Sequence, residues 1–168
     1  YFSVIVDQFK SHVTNEEETE RKMLTELQEL IEQFGNVIAN EDKESCYFYS
    51  IEASWNFKQA LPIYQYYLEC FDTDNQRLIS IALRTVCNNE FQTALNFLIE
   101  TDERLKAKKQ KLSDICYNNL IKSAPNMGEA LGVVPYITHL QDHTLTSILT
   151  ILKNRKIEDK QSNSGFKT

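Results

Sequence analysis

Apolar residues along the chain return at intervals of three and four, and the stretches between them are short and polar. The clearest run is Met23, Leu24, Leu27, Leu30, Ile31 and Phe34. It forms one stripe on one face of a helix from Glu16 to about Phe34. Glu16, Glu17 and Glu18 suit the positive end of that helix, Thr14 with Glu17 fits a capping box, and Gly35-Asn36 is a stop signal. Upstream, Phe2, Ile5, Val6, Phe9 and Val13 predict a short amphipathic helix over 1–13. Further helices are predicted over 40–54, 57–71, 75–87, 90–106, 110–123 and 140–156. A short helix opens near Met127, where Gly132 and Pro135 limit it. Pro62 falls inside the fourth predicted helix, either in its opening turns or as a kink. Asp72-Thr73-Asp74-Asn75 reads as a turn able to cap the helix after it, and Ala124-Pro125-Asn126 as a strong break. The pattern predicts one all-helical domain over 1–157 and a polar, disordered tail over 158–168.

Composition narrows the class. With 168 residues, 42% hydrophobic, the chain is long enough to bury a core. Four glycines and three prolines are too few for the many turns of a β-sandwich or barrel. No apolar run approaches the ~18 residues of a membrane span. Acids outnumber bases 24 to 18, a net charge of −6, which runs against a protein that grips nucleic acid by neutralising phosphates. Cys46, Cys70, Cys87 and Cys116 form no CxxC pair and no zinc-finger spacing with histidine. They read as reduced thiols of an intracellular protein, in cytoplasm or nucleus; two disulfides of a secreted bundle are the alternative. The chain begins at Tyr1 rather than Met, which reads as a piece or processed form of something longer.

An internal likeness carries more weight. Phe57-Lys58-Gln59-Ala60-Leu61 and Phe91-Gln92-Thr93-Ala94-Leu95 lie 34 residues apart, and Met127, Ala130 and Leu131 repeat the pattern 36 residues further on. A helical segment of about a dozen residues precedes each. A small alanine lets two helices approach closely while the aromatic fills space near the turn. Over about residues 41–137 this resembles the tetratricopeptide repeat family. Ala82 matches the family's small position in the first helix of the middle unit, whereas Phe48 and Asn118 stand there in the flanking units. The Trp and Tyr signature of the first helix and the usual turn proline are missing. The resemblance implies an all-α fold of hairpins stacked as a short α-solenoid with flanking helices; an irregular helical bundle is the alternative. It also implies a partner-binding groove lined by Ser45, Tyr49, Glu52, Ile79, Leu83, Asn119 and Lys122. Only Asn119 and Lys122 fit the family's clamp for a terminal carboxylate, so no such clamp is expected.

Chemistry-bearing motifs are sparse. His139 and His143 sit at i, i+4 beside Asp142, but Leu140 stands where a zincin needs Glu and no third ligand is near. There is no GxSxG, P-loop or GxGxxG. We expect no catalytic residue, cofactor or metal. Arg104, Lys106, Lys108, Lys109 and Lys111 form one basic run, a patch for an anionic partner or a solvated loop. No aromatic residue interleaves with it to stack bases. The aromatic stretch from Cys46 to Phe71 is too rich for every ring to face one core, and Tyr and Trp dominate interface hot spots. The expected function is a non-catalytic protein–protein interaction module or scaffold, binding a peptide or helix of a partner. Self-association or an assembly role is the alternative, through the 16–34 helix or through Leu140, Leu145, Ile148, Leu149 and Leu152 near the C-terminus. Nucleic-acid binding through the basic run ranks lower.

Overall fold

In the computed structural model the described residues, 16–164, are helical with no strand among them. The helix predicted over 1–13 lies outside them. Eight α-helices succeed one another: α1 (Glu16–Phe34), α2 (Asn40–Glu52), α3 (Phe57–Phe71), α4 (Gln76–Arg84), α5 (Phe91–Ala107), α6 (Asp114–Ile121), α7 (Met127–Val133) and α8 (Asp142–Ser164). Short 3-10 turns cover Asn88–Glu90 and Val134–Tyr136. No described helix is long and apolar enough to cross a membrane. Contacts gather the chain into two compact units, Tyr1–Glu90 and Phe91–Thr168. Helix α8 runs on to Ser164, through positions whose composition suggests a disordered tail.

In the first unit α2 packs on α1, α3 and α4, and α3 packs on α4. The turn after α1 requires glycine at 35, because a Cβ there would lie 2.2 Å from the Ile31 carbonyl oxygen. Helix α3 starts where the sequence supplies a reciprocal cap. The Asn56 side chain accepts the Gln59 amide at 2.9 Å, and Gln59 Oε1 accepts the Trp55 amide at 2.8 Å. Glu90, remote in sequence, completes that end. Its Oε2 accepts the amides of Phe57 and Cys87, and its Oε1 accepts that of Lys58, so an anion sits on the positive pole of α3. The helix continues through Pro62 and stops at Asp72, whose φ of 48° is left-handed.

The core of this unit is aromatic. Tyr47, Phe57 and Tyr64 are fully buried with Ile51, Ile63, Leu78, Ile79 and Leu83. Tyr47 meets Tyr67 edge-on at 5.3 Å, and Tyr67 stacks on Phe71 at 4.7 Å. Not all rings go inside: Tyr49 and Trp55 stay exposed. A polar buckle ties three helices. Tyr64 Oη donates to Asp74 at 2.9 Å and accepts the Asn75 amide at 3.3 Å. Asn75 Oδ1 caps α4 through the amides of Arg77 and Leu78, while its Nδ2 reaches Glu44 on α2 at 2.7 Å and Tyr67 at 3.4 Å.

In the second unit α6 packs on α5, α7 and α8, and α7 packs on α8. Six consecutive residues, Cys116 to Ile121, are buried. Helix α5 ends in a turn with Lys109 at φ 57°, where the Gln110 amide reaches back to the Leu105 carbonyl. Ser113 then caps α6 at Ile115. The connection before α8 is pinned to α6. Asp114 accepts the amides of Thr138 (3.1 Å) and His139 (2.8 Å). Buried Asn118 donates to the His139 carbonyl and accepts the Gln141 amide. Burial pushes the Asp114 carboxyl upward, but the two amides and Lys111 outweigh it, and it settles below its usual 3.8. Asp114→Ala should therefore lower stability by about 2 kcal/mol in urea denaturation near neutral pH. The part of the wild-type advantage that depends on the charge is present well above pH 3.8 and is lost as pH falls through the lower folded value, below which both folded and unfolded chains hold the proton. A difference that persists undiminished at pH 2 would contradict this account.

None of the four cysteines is in a disulfide; Cys46 and Cys116 are buried, Cys70 and Cys87 exposed. Burial raises Cys46, and it raises Cys116 to about 12. Ellman's reagent at pH 8 should label two thiols rapidly in the folded protein and four after denaturation without reductant. Fast labelling of all four would contradict the packing, and fewer than four after denaturation would reveal a disulfide.

Candidate functional site

Helix α2 presents two stripes with different fates. Cys46, Tyr47, Ser50 and Ile51 face the core and are buried. On another face, Glu41, Glu44, Ser45, Phe48 and Tyr49 keep helical spacing and line a concavity of about 280 Å³ with Arg77 of α4. Tyr49 is 41% exposed, and its ring stands edge-on to Phe48 at 5.3 Å. The Arg77 guanidinium lies over the Phe48 ring, 4.3 Å from its centroid. The Asn75 buckle fixes this arrangement, since Asn75 holds Glu44 with one end of its amide and starts the helix carrying Arg77 with the other. Ser45 Oγ donates to the Glu41 carbonyl.

The expected groove residues divide accordingly. Ser45 and Tyr49 come together at this concavity; Glu52 is exposed but does not line it. Ile79 and Leu83 have no exposed surface and belong to the core, because on nine-residue α4 they share the apolar face with Leu78 and Ala82. They offer nothing to a groove. In the second unit Asn119 is buried and accepts from Lys122 Nζ at 3.2 Å, while Lys122 itself is exposed. Sequence reasoning missed Glu41, Glu44 and Phe48. The signal was present: with Ser45 and Tyr49 they make a stripe at intervals of three and four. Nothing local marks Arg77, whose place over Phe48 is a product of packing.

The basic run is partly engaged. Lys106 pairs with Asp102 at 2.6 Å, which raises its pKa. Arg104 donates to Thr101, and Lys111 donates to Thr138 and lies 4.0 Å from Asp114. Lys108 and Lys109 sit exposed in the turn after α5. Among the described residues no group of three His, Cys, Asp or Glu is placed to hold a metal.

The fold defines the class: an all-helical protein, with an aromatic and charged concavity on its first unit. Compared with known protein families, curated proteins and solved structures, the chain matches none.

Proposed function

We propose that this protein is a non-catalytic interaction module that takes up a peptide or helix of another protein at the α2–α4 surface. The observation that carries the reading is Tyr49. It is an aromatic ring left exposed beside a concavity and edge-on to Phe48, while Tyr47, Phe57, Tyr64 and Tyr67 turn inward. Exposed, pre-positioned Tyr is the residue type that anchors protein interfaces, because it brings large contact area with few torsions to freeze.

The scaffold belongs to the same proposal, as an array of hairpins of the tetratricopeptide-like kind, and an internal likeness supports it. Cys46-Tyr47, Ile51, Asn56 and Ala60-Leu61 of α2–α3 return seventy residues later as Cys116-Tyr117, Ile121, Asn126 and Ala130-Leu131 of α6–α7. Cys, Tyr, Ile and Ala are buried in both. Asn56 and Asn126 cap with nearly the same backbone, φ −149° and −153°, each accepting the amide three residues on. Buried Leu78, Ile79, Ala82 and Leu83 of α4 share the spacing of Cys46, Tyr47, Ser50 and Ile51. In that register the small residue Ala82 corresponds to Ser50 and Leu120, not to Phe48 and Asn118.

Affinity capture from a lysate of the source organism tests the function. Tyr49→Ala should lose the principal partner retained by the wild type, with the thermal midpoint unchanged. Identical partner lists would overturn the site. One observation favours a second reading, assembly with other chains. Leu145, Leu149 and Leu152 form an exposed stripe on α8, with Leu149 63% exposed, while Thr144 and Ile148 turn inward. Light scattering decides it: a concentration-dependent dimer that Leu149→Glu dissolves supports assembly, and a monomer at all concentrations rejects it.

A further inference from the structure

Resting on the reading of Tyr49 as a docking surface, we infer that its ligand is a cationic segment of a partner protein, placing a Lys or Arg side chain between the Glu41 and Glu44 carboxylates and the Tyr49 ring. A volume of about 280 Å³ holds one or two side chains rather than a folded element. Neither carboxylate forms an ion pair among the described residues. Glu44 spends one oxygen on Asn75, and Glu41 stands exposed. An aromatic face beside unpaired carboxylates is suited to a cation, which gains charge and quadrupole attraction while its alkyl stem covers the ring. Phe48 already shows the preference: the nearest cation of the chain, Arg77, lies on its face. With Arg77 held there, the two carboxylates outnumber the one cation of the lining.

The wider field agrees. Residues 1–90 carry 16 Asp and Glu against 7 Lys and Arg, whereas residues 91–168 carry 8 against 11. The chain's net −6 thus hides a first unit at −9, a charge that favours a cationic partner for this unit. An anionic partner would have only Arg77 to meet it and would face both carboxylates.

An array of immobilised nonapeptides tests this, with Lys, Arg, Asp or Glu placed through an Ala–Leu–Ser background. The selected peptides are then measured by fluorescence anisotropy at ~0.15 M salt. Peptides bearing Lys or Arg should be selected. Glu41→Gln with Glu44→Gln should weaken them about tenfold or more, equivalent to about 1.4 kcal/mol, and Gln at 44 keeps an acceptor for Asn75. Tyr49→Ala should weaken them by a similar factor. Glu69→Gln with Asp72→Asn removes the same charge elsewhere on the unit and should change binding less than about twofold. Equal losses in the two double variants would reduce the effect to bulk attraction and overturn the inference. Selection of acidic peptides, lost in Arg77→Ala, would also overturn it while leaving the Tyr49 surface standing. If no peptide binds in a Tyr49-dependent way, both readings fall.

Discussion

Tyr64→Ala should lower the stability of the protein by about 4 kcal/mol, the range for removing a large buried aromatic side chain. Tyr64 has no exposed surface, and its ring stacks beside Tyr67 at 6.1 Å. Its hydroxyl joins Asp74 and the Asn75 amide, so truncation empties the core and releases the start of α4 together. Against a usual total of about 5 to 15 kcal/mol, such a loss leaves little margin. Tyr64→Phe separates the two contributions. It keeps the ring and removes only the hydroxyl, and should cost about 1 to 2 kcal/mol because Asp74 and Asn75 retain some access to water. Urea denaturation of both variants checks this; equal losses would mean the buckle, not the packing, holds this part of the fold.

Overpacking should come next in size. Ala60 and Ala130 have no exposed surface, on helices α3 and α7. Ala60→Leu and Ala130→Leu should each cost about 3 kcal/mol, since interiors are packed too tightly to admit an extra isobutyl group without moving a helix. Ala39→Leu, at an exposed position before α2, provides the comparison and should change stability by less than about 0.5 kcal/mol. Denaturation midpoints decide it. If Ala60→Leu is as mild as Ala39→Leu, the small residue is not needed at that buried position.

The bounds of α1 and α3 match those the hydrophobic pattern predicts, and local groups fix them: Gly35 stops one, and Asn56 with Gln59 caps the other. Helices α4 and α6 are shorter than periodicity suggests. Helix α4 starts behind its Asn75 cap, as the turn predicts, but ends at Arg84 with Thr85 as its C-cap; α6 starts only at the Ser113 cap, after the left-handed turn at Lys109. Polarity also misled. Asn119 was expected in a groove, yet it is buried with its Oδ1 accepting from Lys122, and Asn118 beside it is buried with both ends of its amide bonded to backbone. Ile79 and Leu83 were not legible as core, because a nine-residue helix gives too few turns for its apolar face to be told from a groove-facing one; the fold buries both beside Leu78 and Ala82. The stripe from Glu41 to Tyr49 was readable in principle; the cation over Phe48 was not, since it depends on how α4 lies against α2.

The central claim is that partners meet this protein at the Tyr49 face. Photocrosslinking tests it most directly, with benzoylphenylalanine replacing Tyr49 in one preparation and the exposed Glu69 of α3 in another. Irradiation in a lysate should give a discrete heavier adduct from position 49, abolished by Glu41→Gln with Glu44→Gln, and none from position 69. No adduct at 49, or the same adducts from both positions, would contradict it.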